Sequence, residues 1–339
     1  MHPYNGANEN RERAMTTTRW AGATALIVTF AIAGSALAQA PVKIRQGHSQ
    51  AAEENLWLMD TPAAVTPNRG KAYDFEFFPF RGADERFKAY EAGQLDCATG
   101  TAASIIFAVS QGIKLKIVAS ISKESVKGDV VRYWVLQDSP VKSVKDLKGR
   151  IISINGFKSG TELYARAALM DAGLDPDRDA KFVVLRFPIM AEALRSNKVD
   201  LTPLVQPFAT IEQKKGGIRA LFTSRDALPF DEDLQTMYCG EEFLKKHPAP
   251  IRAYLADFVA TTKWYLANQA AGRKALADAK KVMSDTTVLA EVPDSYRDPN
   301  GRTDLDGYYK LQDVMIRVGF QKNRIDPKEF IDLSFLPSS

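Results

Sequence analysis

Short runs rich in Val, Ile, Leu and aromatic residues recur along this chain, each bounded by Gly, Pro, Asn or Asp. They predict strands over 42–45, 73–78, 95–98, 115–121, 133–136, 151–154, 182–185, 201–205, 220–223 and 235–238. Between most of these runs the apolar positions take helical spacing. Two amphipathic stretches near the end, 251–268 and 305–318, carry Ile251, Leu255, Phe258, Val259, Trp264 and Leu266, then Leu311, Val314, Met315 and Val318. Strands and helices alternate through the first two thirds and helices finish the chain, which is an α/β pattern.

Within that pattern one segment occurs twice. Ala89-Tyr90-Glu91-Ala92-Gly93-Gln94-Leu95-Asp96 matches Ala193-Leu194-Arg195-Ser196-Asn197-Lys198-Val199-Asp200 in residue character. Each copy ends a helix at a Gly or Asn suited to the left-handed conformation and enters a strand through an aspartate. A Phe-Pro pair stands upstream of each, at Phe78-Pro79 and Phe187-Pro188, and a strand opening onto a glycine, Gly47 or Gly156, completes the parallel. Two lobes of similar topology follow, one over 39–137 and 234–339 and the other over 138–233, with the chain crossing back to finish the first. One continuous doubly wound domain is the alternative.

The N-terminus sets the compartment. Arg19 precedes the apolar run 21–33, which ends at Ser35-Ala36-Leu37-Ala38. The run is too short for a membrane span of about 20 residues, and the small residues suit signal peptidase. The expectation is a leader over 1–38, cleavage before Gln39 and a periplasmic product; Met15 offers an alternative start. Removing Arg11, Arg13, Arg19, Glu9 and Glu12 with the leader leaves 42 basic against 39 acidic residues, a balance that argues against nucleic acid as a partner.

In open α/β sheets ligands gather beyond the carboxyl ends of the strands. Four loops qualify: Gly47 with His48, Ser49 and Gln50; Thr99, Gly100, Thr101 and Ala102; the turn of Asn155, Gly156, Phe157, Lys158, Ser159, Gly160 and Thr161; and Gln206 before Pro207-Phe208. Ser159-Gly160-Thr161-Glu162 also reads as a capping box, so Ser159 has two possible roles. Arg81 and Lys158 are the candidate cations. Phe157, Phe80, Trp57 and Tyr164 form a possible apolar wall or belong to the core. His2, His48 and His247 lack metal-ligand spacing, and in Gly156-Phe157-Lys158-Ser159-Gly160-Thr161 the lysine precedes the second glycine, unlike a nucleotide-binding loop. No cofactor and no metal are expected.

With these residues placed, the sequence resembles the alkanesulfonate-, taurine- and nitrate-binding protein family. The resemblance rests on ENLWLM from Glu54 to Met59, on YEAGQLDCATGTAASIIFAVSQGIKLKIVA, on SVKDLKGRIISINGFKSGTELYARAALMDAGLDP, on VDLTPLVQPFATIEQKKGG and on IDPKEFIDLSFLP. It implies a two-lobed type II periplasmic-binding-protein fold, two doubly wound α/β lobes joined by two crossing strands, with hinges near 136–139 and 233–238. It also implies a small polar or anionic ligand in the cleft, an acidic group docked on the 155–161 turn, and delivery by a monomer to an ABC permease and its ATPase. Where the family often has a tryptophan and an acidic residue, this chain has Val205-Gln206-Pro207, which disfavours an ammonium-bearing ligand such as taurine. The resemblance sets the strand around Tyr238 beside the one holding Cys97, which leaves Cys97 and Cys239 as either a bridge or, the expectation here, two buried thiols. A sensor subunit feeding a membrane receptor and a cysteine-dependent desulfinase are the alternative functions.

Overall fold

Every strand expected from the apolar pattern forms, with ends shifted by a few residues. In chain order they are β1 (Val42–His48), β2 (Tyr73–Pro79), β3 (Cys97–Gly100), β4 (Leu115–Glu124), β5 (Arg132–Leu136), β6 (Arg150–Ile154), β7 (Ala180–Val184), β8 (Thr202–Leu204), β9 (Ile218–Thr223) and β10 (Glu232–Gly240). The helices are α1 (Glu54–Leu58), α2 (Ala83–Glu91), α3 (Ala102–Ser110), α4 (Gly160–Asp171), α5 (Phe187–Arg195), α6 (Phe208–Lys215), α7 (Ser224–Ala227), α8 (Glu241–Lys246), α9 (Pro248–Ala267), α10 (Gln269–Asp278), α11 (Thr286–Leu289) and α12 (Leu305–Arg317). This computed structural model describes residues 40–80, 82–282 and 286–338. The expected leader and Arg81 lie outside the described residues. Among those described, no helix is long and apolar enough to cross a membrane.

The first sheet has the order β2-β1-β3-β10-β4, with β1 parallel to β2 and β3, and β10 antiparallel to both its neighbours. In the second lobe β5 lies antiparallel between β8 and β9, β6 pairs in parallel with β7, and a bridge between Ile152 and Leu201 joins β6 to β8. Read across, β7-β6-β8-β5-β9 repeats the order of the first sheet. In each sheet the antiparallel strand comes from outside the local run, so β5 and β10 are the two crossing strands. Because β5 already pairs with β8 and β9, the chain leaves the first sheet before Arg132, not at the expected 137–138. The chain therefore passes between the sheets at 125–131 and returns at 228–231. The two crossings are stitched together by Ser125 Oγ donating to Asp231 at 2.7 Å and Ser224 N donating to the Val131 carbonyl at 2.8 Å.

The repeated segment has one physical job in both lobes. Gly93 (φ +69°) and Asn197 (φ +55°) take the left-handed turn that lets Gln94 N reach the Ala89 carbonyl and Lys198 N the Ala193 carbonyl. The aspartate that follows then grips the neighbouring strand. Asp96 accepts from Arg45 N and Nε, both at 2.9 Å, and Asp200 accepts from Ile151 N at 2.8 Å and Arg150 Nη1 at 3.2 Å. Register is thus pinned at one end of β1 and β6, and their carboxyl ends are left to carry the loops.

Helix α9 packs Ile251, Tyr254, Leu255 and Phe258 on Ile44, Tyr73, Phe75, Val118 and Met237 of the first sheet. In the same core Cys97 and Cys239 stand directly opposite one another on β3 and β10, Cα atoms 4.0 Å apart, and are joined as a disulfide. The expected pair of free thiols is corrected: antiparallel pairing puts both Cβ atoms on one face at bridging distance.

Candidate functional site

The carboxyl ends of β1, β3, β6 and β8 converge between the lobes on a cleft with two connected chambers. The smaller, of about 60 Å³, is where loop ends from both lobes meet. Ser49 and Gln50 reach it from the end of β1, Thr101 from the N-cap of α3, and Asn155, Ser159, Gly160 and Thr161 from the turn between β6 and α4. Ser159 caps α4, its Oγ accepting from Glu162 N at 3.3 Å and donating to the Gly156 carbonyl at 2.7 Å. Capping leaves the N–H groups of Gly160 and Thr161, the first two of the helix, with no acceptor among the described residues, and helix geometry aims such groups outward with a partial positive charge. Gly160 also keeps the wall open, since a Cβ there would sit 3.3 Å from Tyr164 Oη.

Arg86 of α2 completes this chamber. Its side chain is 3 % exposed and its Nε finds no hydrogen-bond partner, and among the described residues no carboxylate lies within ion-pair distance. Its nearest acidic influence is Glu53, wholly buried, whose carboxyl is pushed up by desolvation and pulled back by the Arg86 charge. Glu53 spends one oxygen on Ser49 N at 3.0 Å. A buried guanidinium held by no ion pair is costly unless something anionic arrives, so this arrangement can accept an acid.

The second chamber, of about 170 Å³, opens from the first past Ser49, Gln50, Val131, Val205 and Leu234. Trp57, Phe208, Tyr265, Leu276, Leu289 and Val292 wall it. His48 stands at its edge. Trp57 Nε1, which can only donate, lies 3.1 Å from His48 Nδ1, which assigns the ring proton to Nε2. The Ser49 carbonyl, 2.8 Å from the same Nδ1, would require the other tautomer; the buried indole has no other acceptor and decides. Burial lowers the imidazole to about 4, so the ring is neutral.

The expected site residues fall into three groups. His48, Ser49, Gln50, Thr101, Ser159, Gly160, Thr161 and Gln206 line the chambers. Thr99, Gly100 and Ala102 are buried beside them and serve the fold, Gly100 through its carbonyl, which accepts from Thr236 Oγ1 at 3.0 Å. Gly47 likewise serves packing, since a Cβ there would stand 2.7 Å from Leu95 Cδ1. Phe157 is 52 % exposed, outside both chambers. Lys158, held at φ +60°, turns its ammonium over the Phe320 ring at 4.2 Å instead of into the cleft. Gln206 donates its amide N–H to Asp129 at 2.8 Å, and its carbonyl accepts from Thr210 Oγ1 at 2.8 Å. The Thr161 hydroxyl donates to Asn155 Oδ1 at 2.7 Å. Its proton is spent on shaping the turn. Arg86 escaped the sequence reading; its one signal was its place three residues before Ala89 on the stripe that α2 buries.

Comparison with known proteins adds the family. The profile of the NMT1/THI5 like family matches residues 78–271, more than half of the chain. The chain belongs to this family. A putative aliphatic sulfonates-binding protein of Escherichia coli (strain K12) is 25% identical over 179 residues, 53% of this chain and 54% of that protein, so the chain spans about half the length of the curated relative it matches. The crystal structure of the periplasmic aliphatic sulphonate binding protein SsuA from Escherichia coli superposes with a TM-score of 0.68 at 19% identity, covering 86% of this chain and 92% of that one. The periplasmic nitrate-binding protein NrtA from Synechocystis PCC 6803 gives 0.66 at 11%, covering 87% of each. These likenesses establish the two-lobed periplasmic-binding-protein fold.

Proposed function

We propose that this protein is an exported solute-binding component of an ABC importer, closing on a small organic acid and presenting it to a permease and its ATPase. The observation that carries the reading is Arg86, a buried cation with no carboxylate at ion-pair distance among the described residues, which lines the same chamber of the interlobe cleft as the start of α4. The acid's head takes the guanidinium from the first lobe and Gly160 N and Thr161 N from the second, so neither lobe alone completes the site. Relatives named as sulfonate- and nitrate-binding proteins support an anion, and the leader expected over 1–38 supports export. The desulfinase alternative loses its nucleophile, because Cys97 is bonded to Cys239 and wholly buried. Thermal-shift titration with sulfonates, carboxylates and nitrate tests the reading: a ligand at 100 times its Kd adds about 2.7 kcal/mol to stability. If every acid leaves the melting temperature unmoved, the reading fails.

A further inference from the structure

Where the two crossings join the first sheet, two glutamates face each other. Glu124 ends β4, Glu232 begins β10, and the antiparallel pairing of these strands sets the two residues directly opposite one another. Both are nearly enclosed, 1 % and 6 % exposed. Each takes a hydroxyl from the second lobe, Glu124 from Ser224 at the start of α7 and Glu232 from Tyr164 of α4. Like charges opposite one another on neighbouring strands repel, and two buried carboxyls so placed do not both ionise while water is kept out. We propose that Glu124 and Glu232 are a proton-sensitive clasp, holding the second lobe against the crossings while the pair keeps a proton and parting from it when both carboxyls ionise. This device is independent of which solute the cleft takes.

The surroundings supply too little positive charge for two anions. Arg225 of α7 favours ionisation of both carboxyls, and it is already paired with Asp231 at 3.2 Å. Lys123 lies 3.6 Å from Asp233, and Lys127 sits over the Tyr296 ring at 5.0 Å. Arg132 is paired with Asp129. Asp129 itself opposes ionisation of Glu124, as Asp233 opposes that of Glu232, and Asp304 at the start of α12 borders the same hollow as Glu232. The phenols of β5 and α12 are engaged elsewhere: Tyr133 donates to the Thr161 carbonyl and Tyr308 to Asp233 at 3.0 Å. Burial accordingly raises Glu124 to about 7 and Glu232 to about 8. The hydrogen bonds say which carboxyl keeps the proton. Glu124 accepts from Val131 N at 3.2 Å as well as from Ser224, whereas among the described residues Glu232 has Tyr164 alone, so Glu124 ionises first. A carboxyl raised in this way contributes stability that is present below its ordinary 4.5 and is lost as pH rises through 7 to 8. The last proton then leaves to solvent, and the second buried charge is relieved by water that enters as α4 and α7 move off the strand ends.

The test follows the proton and the lobes together. Infrared spectra and small-angle scattering of the purified, ligand-free protein are recorded from about pH 5.5 to about pH 9.5, a range that brackets both ionisations. Glu232→Gln, which keeps the shape and a carbonyl acceptor for Tyr164 but cannot ionise, is measured alongside. In the wild type the protonated-carboxyl stretch should vanish across this range while the radius of gyration grows. The ratio of parted to clasped molecules should rise up to about tenfold per pH unit, the slope for one proton per parting. Glu232→Gln should lack the titrating band and hold its radius constant; Glu124→Gln serves the same purpose should Glu232→Gln not fold. A band that vanishes with no change in radius would overturn the clasp and leave a pair that hydrates in place. Absence of the band in the wild type, or an equal growth in radius in the glutamine variant, would overturn it too.

Discussion

Replacing Arg86 with Met separates a binding cation from a structural one, because the two roles move affinity and stability in opposite ways. Met keeps most of the volume of a side chain that is 3 % exposed and removes a guanidinium with no carboxylate at ion-pair distance among the described residues. Truncating one partner of a buried, hydrogen-bonded charge pair costs about 2–5 kcal/mol of binding, roughly 30- to 5000-fold in Kd. In the ligand-free protein the same change removes a buried charge that no ion pair holds, so the unfolding free energy should hold or rise. Glu53 sets the limit on that gain: its carboxyl, already pushed up by burial, loses the nearby positive charge and becomes easier to protonate. Isothermal titration with the best acid from the thermal-shift series, together with melting curves of the free protein, reads both quantities. An Arg86→Met protein that melts several degrees lower when empty and still binds with unchanged Kd would refute the reasoning and make Arg86 a structural counter-ion for Glu53.

Other consequences are as direct. Denatured, unreduced protein should show no free thiol, and reducing the Cys97–Cys239 bond, which closes a loop across a sequence separation of 142, should cost about 3–5 kcal/mol in chemical denaturation. Thr161→Val should weaken ligand binding less than Arg86→Met does, since the hydroxyl donates to Asn155 and shapes the turn instead of reaching the acid; an equal loss in titration would put that hydroxyl on the ligand. Burial lowers His48 from 6.5 to about 4, so its contribution is present above pH 6.5 and is lost as pH falls toward 4. Burial raises Glu232 from 4.5 to about 8, so its contribution is present below 4.5 and is lost as pH rises toward 8; Glu232→Gln should flatten the alkaline side of a melting-temperature profile, and an unchanged slope there would dismiss this origin. Small-angle scattering should show a smaller radius of gyration on saturation, as hinge closure at 125–131 and 228–231 requires.

Much of the fold was legible because strands and breakers are local signals. The repeat of Ala89–Asp96 at 193–200 carried the two-lobe topology, since a left-handed turn followed by an aspartate has one geometric use, and Gly93 and Asn197 both take that turn. Sheet membership was not legible. The run at 133–136 reads as a buried strand in either lobe, and only its pairing with β8 and β9 shows that the chain has already crossed. The lining of the cleft was legible where it is tied to a loop, as at Ser49, Thr101 and Gly160, and illegible where a tertiary contact decides. Arg86 looks like a solvated helix residue until α2 is docked. Lys158 looks like a cleft cation until Phe320, far away in the sequence, offers its ring. The larger chamber draws Tyr265, Leu276, Leu289 and Val292 from segments whose spacing reads as ordinary helix packing.

The placement of Tyr164 ties the smaller chamber to the crossing between the lobes. Its ring lines that chamber beside Gly160, and its hydroxyl donates to Glu232 at the start of β10, the strand that returns to the first lobe. Ser224 at the start of α7 reaches Glu124 at the end of β4 in the same way. Both lobe-to-lobe bonds end on carboxyls that burial has raised, Glu124 to about 7 and Glu232 to about 8, so near neutral pH they accept these bonds while carrying less than full charge. Arg86 is already buried without an ion pair while both bonds are in place, so the bonds by themselves do not separate an empty cleft from a filled one. On the proposed acid-binding reading, what a ligand adds is the pairing of the guanidinium, and only a differential of that kind would shift the lobes between conformations.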